Sequence, residues 1–296
     1  MMDCSSHAIV LPVDEEVTEI EMFAFCEDSE LTDIIVREGV TTIGVSAFQD
    51  CKNLKSVVLP ESLISIEECS FSGCESLTSI IIPESVTVIR DLAFTGCTNL
   101  KSVVLPKSLT SIGRAAFSEC ESLTSITIPE SVTDIGDSVF AFCHQLKDIE
   151  VLEENAHYCA VDSMILSKDG SVLHSYPSAA GKIVLPKGIT VIGDYAFEDY
   201  DGLTSVVIPE GVTSIGKLAF CDCTSLESIV IPASVTNIDW KAFNGCGQLK
   251  EFDISEQNQF YSAENSMLLS KDGSVLYAMP SAVGSIVIPE GVTSIG

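Results

Sequence analysis

Phenylalanines recur at Phe25, Phe48, Phe71, Phe94, Phe117 and Phe140, then at Phe197, Phe220 and Phe243, with a spacing of 23 residues inside each run. A fixed period this short means one structural unit stacked on copies of itself, because a unit of that size cannot bury its own apolar face alone. A linear array grows by adding turns and escapes the size limit of a globular core, so the 296 residues read as one elongated domain.

Each unit changes rhythm along its length. In 77–99, Leu77, Ile80 and Ile82 set an inward face, and the alternation from Ile80 onward predicts a strand that Pro83 ends. Ala93, Phe94 and Cys97 follow at i, i+1 and i+4, which predicts one face of a short helix. The register divides the chain into a degenerate part at 1–16, regular repeats at 17–150, a hairpin insert at 151–181, regular repeats at 182–253, a second insert at 254–284 and an incomplete repeat at 285–296.

The inserts are near copies 103 residues apart: MILSKDGSVLHSYP at 164–177 and MLLSKDGSVLYAMP at 267–280, with Asn155 matching Asn258, Tyr158 matching Tyr261 and Gly181 matching Gly284. Asp169-Gly170 and Asp272-Gly273 supply the positive backbone angle of a tight turn, which predicts a β-hairpin in each insert. The next phenylalanine is expected at position 300, past Gly296, so the chain reads as stopping in mid-repeat, as a fragment would.

The recurring Leu-x-x-Ile-x-Ile-Pro, Val-Thr-x-Ile-Gly and Ala-Phe-x-x-Cys elements, with the Leu-Ser-Lys-Asp-Gly hairpins, resemble the BspA-type leucine-rich repeats from about residue 8 onward. The resemblance implies an α/β fold: a right-handed β/α leucine-rich-repeat solenoid with parallel strands along one face, short helices on the other and two β-hairpin inserts. It also implies adhesion or protein binding at the cell surface or in the secreted fraction. The first repeat departs from the pattern, with Asp28 in the cysteine slot and Arg37 in the proline slot. No export signal or anchor is visible, which leaves a cytoplasmic location open, as an interaction module or as the structural arm of a larger protein.

Catalysis has no candidate residues. His7, His144, His157 and His174 fall in different repeat slots, and neither a nucleophile elbow nor a phosphate-binding glycine loop is present. Cys51, Cys74, Cys97, Cys120, Cys143, Cys223 and Cys246 lie three residues after the repeat phenylalanine, and Tyr200 holds the same slot. A small core-facing residue fits that column better than a ligand or a cross-link. Cys221-x-Cys223 has no partner pair at zinc-site spacing. Glu61, Glu84, Glu130, Glu210 and Glu290 form an acidic column interrupted by Lys107, Lys187 and Ala233, without the Asp-x-Asp spacing of calcium loops. No cofactor and no metal is expected.

The outward positions of the strands are the candidate site. Ser56, Val58, Ser79, Ile81, Ser102, Val104, Ser125, Thr127, Ser205, Val207, Ser228 and Val230 should align as one small polar stripe beside one apolar stripe, a strip for docking a protein. The same β-branched residues also stabilise neighbouring strands, and the sequence does not choose between the two roles. A formal charge of -28 excludes polyanionic partners such as nucleic acid. No apolar run reaches the roughly 20 residues of a membrane span. A protein partner is expected, for a chain that is monomeric or associates weakly through exposed solenoid ends.

Overall fold

The computed structural model describes residues 9–11, 17–177, 181–279 and 287–295. The expected degenerate start, His7, Gly284 and the last residues of the second insert lie outside them, apart from the short strand Ile9–Leu11. The chain forms two compact units, Met1–Ser163 and Met164–Gly296, and the boundary falls inside the first predicted insert.

In the first unit every coil contributes two strands. The outer one is three or four residues long, as in Ser56–Val58, Ser79–Ile81, Ser102–Val104 and Ser125–Ile128. Each pairs in parallel with a strand 23 residues away, as Ile80 does with Val103. The second strand has two residues, and six of these, from Glu19–Ile20 to Asp134–Ile135, make one parallel sheet. Side chains alternate across the outer strand, so Ile80 and Val103 are buried while their neighbours face outward.

The second unit repeats the design. Gly181–Val184, Leu203–Val207, Ser228–Ile231 and Glu251–Ile254 form a four-stranded parallel sheet. The predicted hairpins are present: Met164–Ser167 runs antiparallel to Val172–Ser175, and Met267–Ser270 to Val275–Ala278. Gly170 and Gly273 both take φ 74° in the turns, where a side chain would be strained. Each hairpin hands the chain back to the solenoid, Val172 pairing in parallel with Val191 and Val275 with Ser294.

The expected helices are absent. No described residue is helical, and each unit is a parallel β-solenoid rather than a β/α fold. The third side of the coil carries two left-handed residues, such as Leu92 at φ 59° and Gly96 at φ 74°, or Ser46 at φ 54° and Asp50 at φ 57°. A right-handed helix cannot pass through two such positions in five residues. The N–H groups of Leu92, Phe94 and Gly96 bond to the carbonyls of Arg114, Ala116 and Ser118 on the next coil instead of closing a helical turn. Ala93, Phe94 and Cys97 are nonetheless fully buried, so their spacing identified the inward face but not the path of the backbone.

The core of each unit is a ladder of rings. Phe71 and Phe94 stack 5.4 Å apart at 2°, Phe94 and Phe117 5.3 Å apart at 2°, and in the second unit Phe197 and Phe220 4.8 Å apart at 6°. Burial of each ring stabilises by about 1.5–3 kcal/mol, and each ring pair adds about 0.5–1.5 kcal/mol. Tyr176 of the first hairpin extends the second ladder, 6.0 Å from Phe197.

Candidate functional site

Almost every polar column of the first unit is consumed in holding one coil to the next. Ser62, Ser108 and Ser131 donate to the carbonyls of Val40, Val86 and Leu109, and Thr110 and Thr133 to those of Thr87 and Thr110. Asn53 and Asn99 do the same to Ser29 and Glu75. Glu84 and Glu210 of the acidic column, and Glu38 one coil before Glu61, belong to this scheme. Glu38 accepts the N–H groups of Glu61 and Ser62, Glu84 that of Lys107 and, in the second unit, Glu210 that of Ala233. The sequence showed Glu84 and Glu210 only as members of a row of like charges; each accepts a turn N–H group of the next coil.

The thiol column has an equivalent role. Cys74, Cys97, Cys120 and Cys143 are buried, and each Sγ donates to the carbonyl of the phenylalanine 26 residues earlier. Cys223 and Cys246 donate likewise to Phe197 and Phe220. Burial pushes the thiols of Cys97 and Cys143 up to about 12, so they are neutral donors rather than nucleophiles. All described cysteines are free thiols, and no described group of three or more His, Cys, Asp and Glu side chains is placed to hold a metal ion. His144 packs edge-on against Phe142 at 6.2 Å, and His157 lies beside Tyr158.

The matching Asn and Tyr residues close each unit's regular coils. Asn155 is fully buried, donates to the carbonyls of Pro129 and Val132, and accepts from the N–H groups of His157 and Tyr158. The Tyr158 hydroxyl then accepts the N–H of Ile135, in the place of a further short strand. Asn258 and Tyr261 repeat this on Pro232, Val235 and Ile238.

Against this background the predicted strip of the first unit stands out. Ser79 is the register partner of Ser102 and Ile81 of Val104, while Asp33 and Ile35 continue the two stripes beside Ser56 and Val58. Ser125 and Thr127 face Asp148 and Glu150, and Thr127 donates to the Glu150 carboxylate at 3.1 Å. Val58, Ile81 and Val104 are 51%, 70% and 56% exposed. The hydroxyls of Ser56, Ser79, Ser102 and Ser125 are exposed and bond to no other coil among the described residues. A shallow depression of about 370 Å³ lies over Ser56, Val58, Ser79 and Ile81, with Lys55 and Glu61 at its borders.

In the second unit the stripes keep their register, Ser205 with Ser228 and Val207 with Val230, but all four residues are half-buried and Ser228 donates to Ser205 at 3.0 Å. The hairpin loops are closed on themselves: Asp169 accepts from the Ser167 hydroxyl and from the hydroxyl and N–H of Ser171, which pulls its carboxyl down to about 2.

Two depressions were not foreseen. One, of about 450 Å³ in the first unit, sets Arg90 and Arg114 among Asp91, Asp134 and Asp137, and Arg90 also pairs with Glu67 at 3.8 Å. The other, of about 320 Å³ in the second unit, is lined by Trp240, Phe243, Leu276 and Met279, with Lys241 Nζ 4.5 Å from the Trp240 ring centroid. The only signal for the latter was Trp240, the chain's one tryptophan.

The family described as "BspA type leucine rich repeat region" matches residues 18–147 and 175–271 in six copies. A leucine rich cell surface protein of Faecalibacterium prausnitzii is 30% identical with a TM-score of 0.62, over 81% of this chain and 77% of that one. The pneumococcal vaccine antigen PcpA is 26% identical with a TM-score of 0.64, over 76% of this chain and 62% of the antigen. A leucine-rich repeat protein of Eubacterium ventriosum shares the fold at 22% identity and a TM-score of 0.67, over 98% of this chain and 87% of that one. No curated protein matches the chain.

Proposed function

The chain belongs to the BspA-type leucine-rich repeat family, and from that premise we propose that it is a protein-interaction scaffold whose contact surface is the outer strip of the first unit, displayed at the cell surface. One observation carries the assignment of the strip. Polar columns such as those of Ser108 and Glu84 satisfy backbone groups of the adjacent coil, whereas Ser56, Ser79, Ser102 and Ser125 satisfy none among the described residues and stand beside exposed Val58, Ile81 and Val104. Apolar side chains flanked by unused hydroxyls offer a partner both area to bury and hydrogen bonds to direct it. The half-buried stripe of the second unit and the self-satisfied hairpin loops offer less of either. Surface display is supported by the cell surface protein of F. prausnitzii.

The test replaces Ile81 and Val104 with lysine in the full chain. Loss of partner capture with an unchanged circular dichroism spectrum is the expected result, and undiminished capture by a folded double variant would refute the strip. Antibody labelling of intact cells tests display; signal only after permeabilisation would place the protein inside.

A further inference from the structure

The borders of the same strip carry charge in a regular pattern. On one side, the position before each outer strand alternates between threonine and lysine from coil to coil: Thr78, Lys101, Thr124 and Lys147 follow Lys55 at steps of 23 residues. The backbone ties the column together, Lys55 N–H bonding to the Thr32 carbonyl, Lys101 to Thr78 and Lys147 to Thr124. All three lysines are exposed and, in a chain with 43 acidic residues, none forms an ion pair with a described residue. On the far border, beyond the apolar row, Glu38, Glu61 and Glu84 form an acidic run that Lys107 interrupts beside Lys101 and Glu130 resumes.

We propose, building on the docking reading above, that the strip of the first unit takes an amphipathic helix of a partner protein, laid across the strands with carboxylates at seven-residue spacing against Lys55, Lys101 and Lys147. Neighbouring strands are about 4.8 Å apart, so lysines on every second coil recur at about 9.6 Å. An α-helix rises about 1.5 Å per residue and returns to nearly the same face after seven residues, about 10.5 Å along its axis. The long lysine side chains absorb the remaining difference over three contacts. An extended strand fails this match, because residues about 10 Å apart on it are three positions apart and point to opposite faces.

A polyproline helix repeats at about 9.3 Å and satisfies the spacing. It is the more slender of the two, and the lysine and glutamate borders lie six residues apart, as Lys55 and Glu61 do, about 20 Å of extended chain. A helix with side chains, about 10–12 Å across, covers about half of that width, and the long lysine and glutamate side chains of the two borders bridge the rest to its edges. Its apolar face covers Val58, Ile81 and Val104, its acidic edge meets the lysines and its basic edge meets the glutamates, the helix-in-groove mode of recognition.

The test uses fluorescence anisotropy with the full chain and three synthetic peptides. One is helical, with Glu at positions one, eight and fifteen, Arg along the opposite edge and Leu between. The second has the same composition with the Glu spacing changed to five residues, and the third is a proline-rich helix with Glu at every third position. The helical heptad peptide should bind best, and K55E/K101E/K147E should weaken it about tenfold, with the loss shrinking at high salt. Equal binding of all three peptides, or no effect of the triple reversal, overturns the helix assignment. If I81K/V104K abolishes binding while the lysine reversal does nothing, the strip survives and the lysine register falls; if neither matters, both readings fail.

Discussion

Ile80 and Ile81 are adjacent in the chain, yet Ile80 is 2% exposed and Ile81 is 70% exposed. The pleat of the outer strand turns one into the core and the other to solvent. Ile80→Ala should therefore cost about 2–5 kcal/mol by leaving a cavity. Ile81→Thr should change stability by no more than about 0.5 kcal/mol, because it removes exposed area and keeps the β-branch. Urea unfolding of the two variants checks the contrast, and comparable losses would mean that Ile81 is a packing residue rather than a contact residue.

The thiol ladder makes stability depend on pH on the alkaline side. Cys97 and Cys143 have folded-state values pushed up to about 12 by burial, against an ordinary value of 9.0. A raised folded value favours the protonated form in the folded state. Stability is thus complete below about pH 9 and declines as pH rises toward 12, by about 1.4 kcal/mol per pH unit for each such thiol. The urea midpoint should be flat between pH 7 and 8.5 and fall steeply above 9. Cys97→Ala should make that fall shallower at some cost in stability at neutral pH, from the lost bond to the Phe71 carbonyl.

The inward residues and the hairpins were legible because they depend on local pattern: Leu77, Ile80 and Phe94 repeat with the coil, and Asp-Gly marks a turn by its own backbone preference. The third side of the coil was not legible. Its left-handed positions are filled by Phe23, Ser46, Leu92 and Tyr195, none of which advertises a positive φ. Hydrogen bonds to the next coil impose that geometry, and those bonds join residues more than 20 positions apart. Gly73 and Gly96 gave a partial signal at the second left-handed position, which Glu119 and Asp199 obscure elsewhere. The outer strip was legible as a face, since alternation places Ser79 and Ile81 outward. That its hydroxyls are spare appears only when the partners of the other polar columns are known.

The acidic column separates charge from hydrogen bonding. Glu84 accepts the N–H of Lys107 at 2.9 Å through one carboxylate oxygen. A glutamine retains that acceptor, so Glu84→Gln should leave the urea midpoint nearly unchanged, whereas Glu84→Ala should cost about 0.5–1.5 kcal/mol. If both variants lose the same amount, the carboxylate acts through its charge and not as an acceptor for the turn.

Asn258 uses its whole side chain in a buried site. Its amide donates to the carbonyls of Pro232 and Val235, and its oxygen accepts from the N–H groups of Phe260 and Tyr261. Alanine would leave two donors and two acceptors without partners in a place water reaches poorly, a loss of about 3–5 kcal/mol. An aspartate in its place would keep the acceptor but oppose two carbonyl oxygens with a charge, so Asn258→Asp should be about as damaging at pH 7. It should recover part of the loss as acid protonates the carboxyl and supplies one donor. Tyr261→Phe, which removes only the acceptor for Ile238, should cost less than either. Thermal unfolding of the three variants at pH 7 and pH 4 gives the order, and a fully stable Asn258→Ala would show that the turn finds its partners without the asparagine.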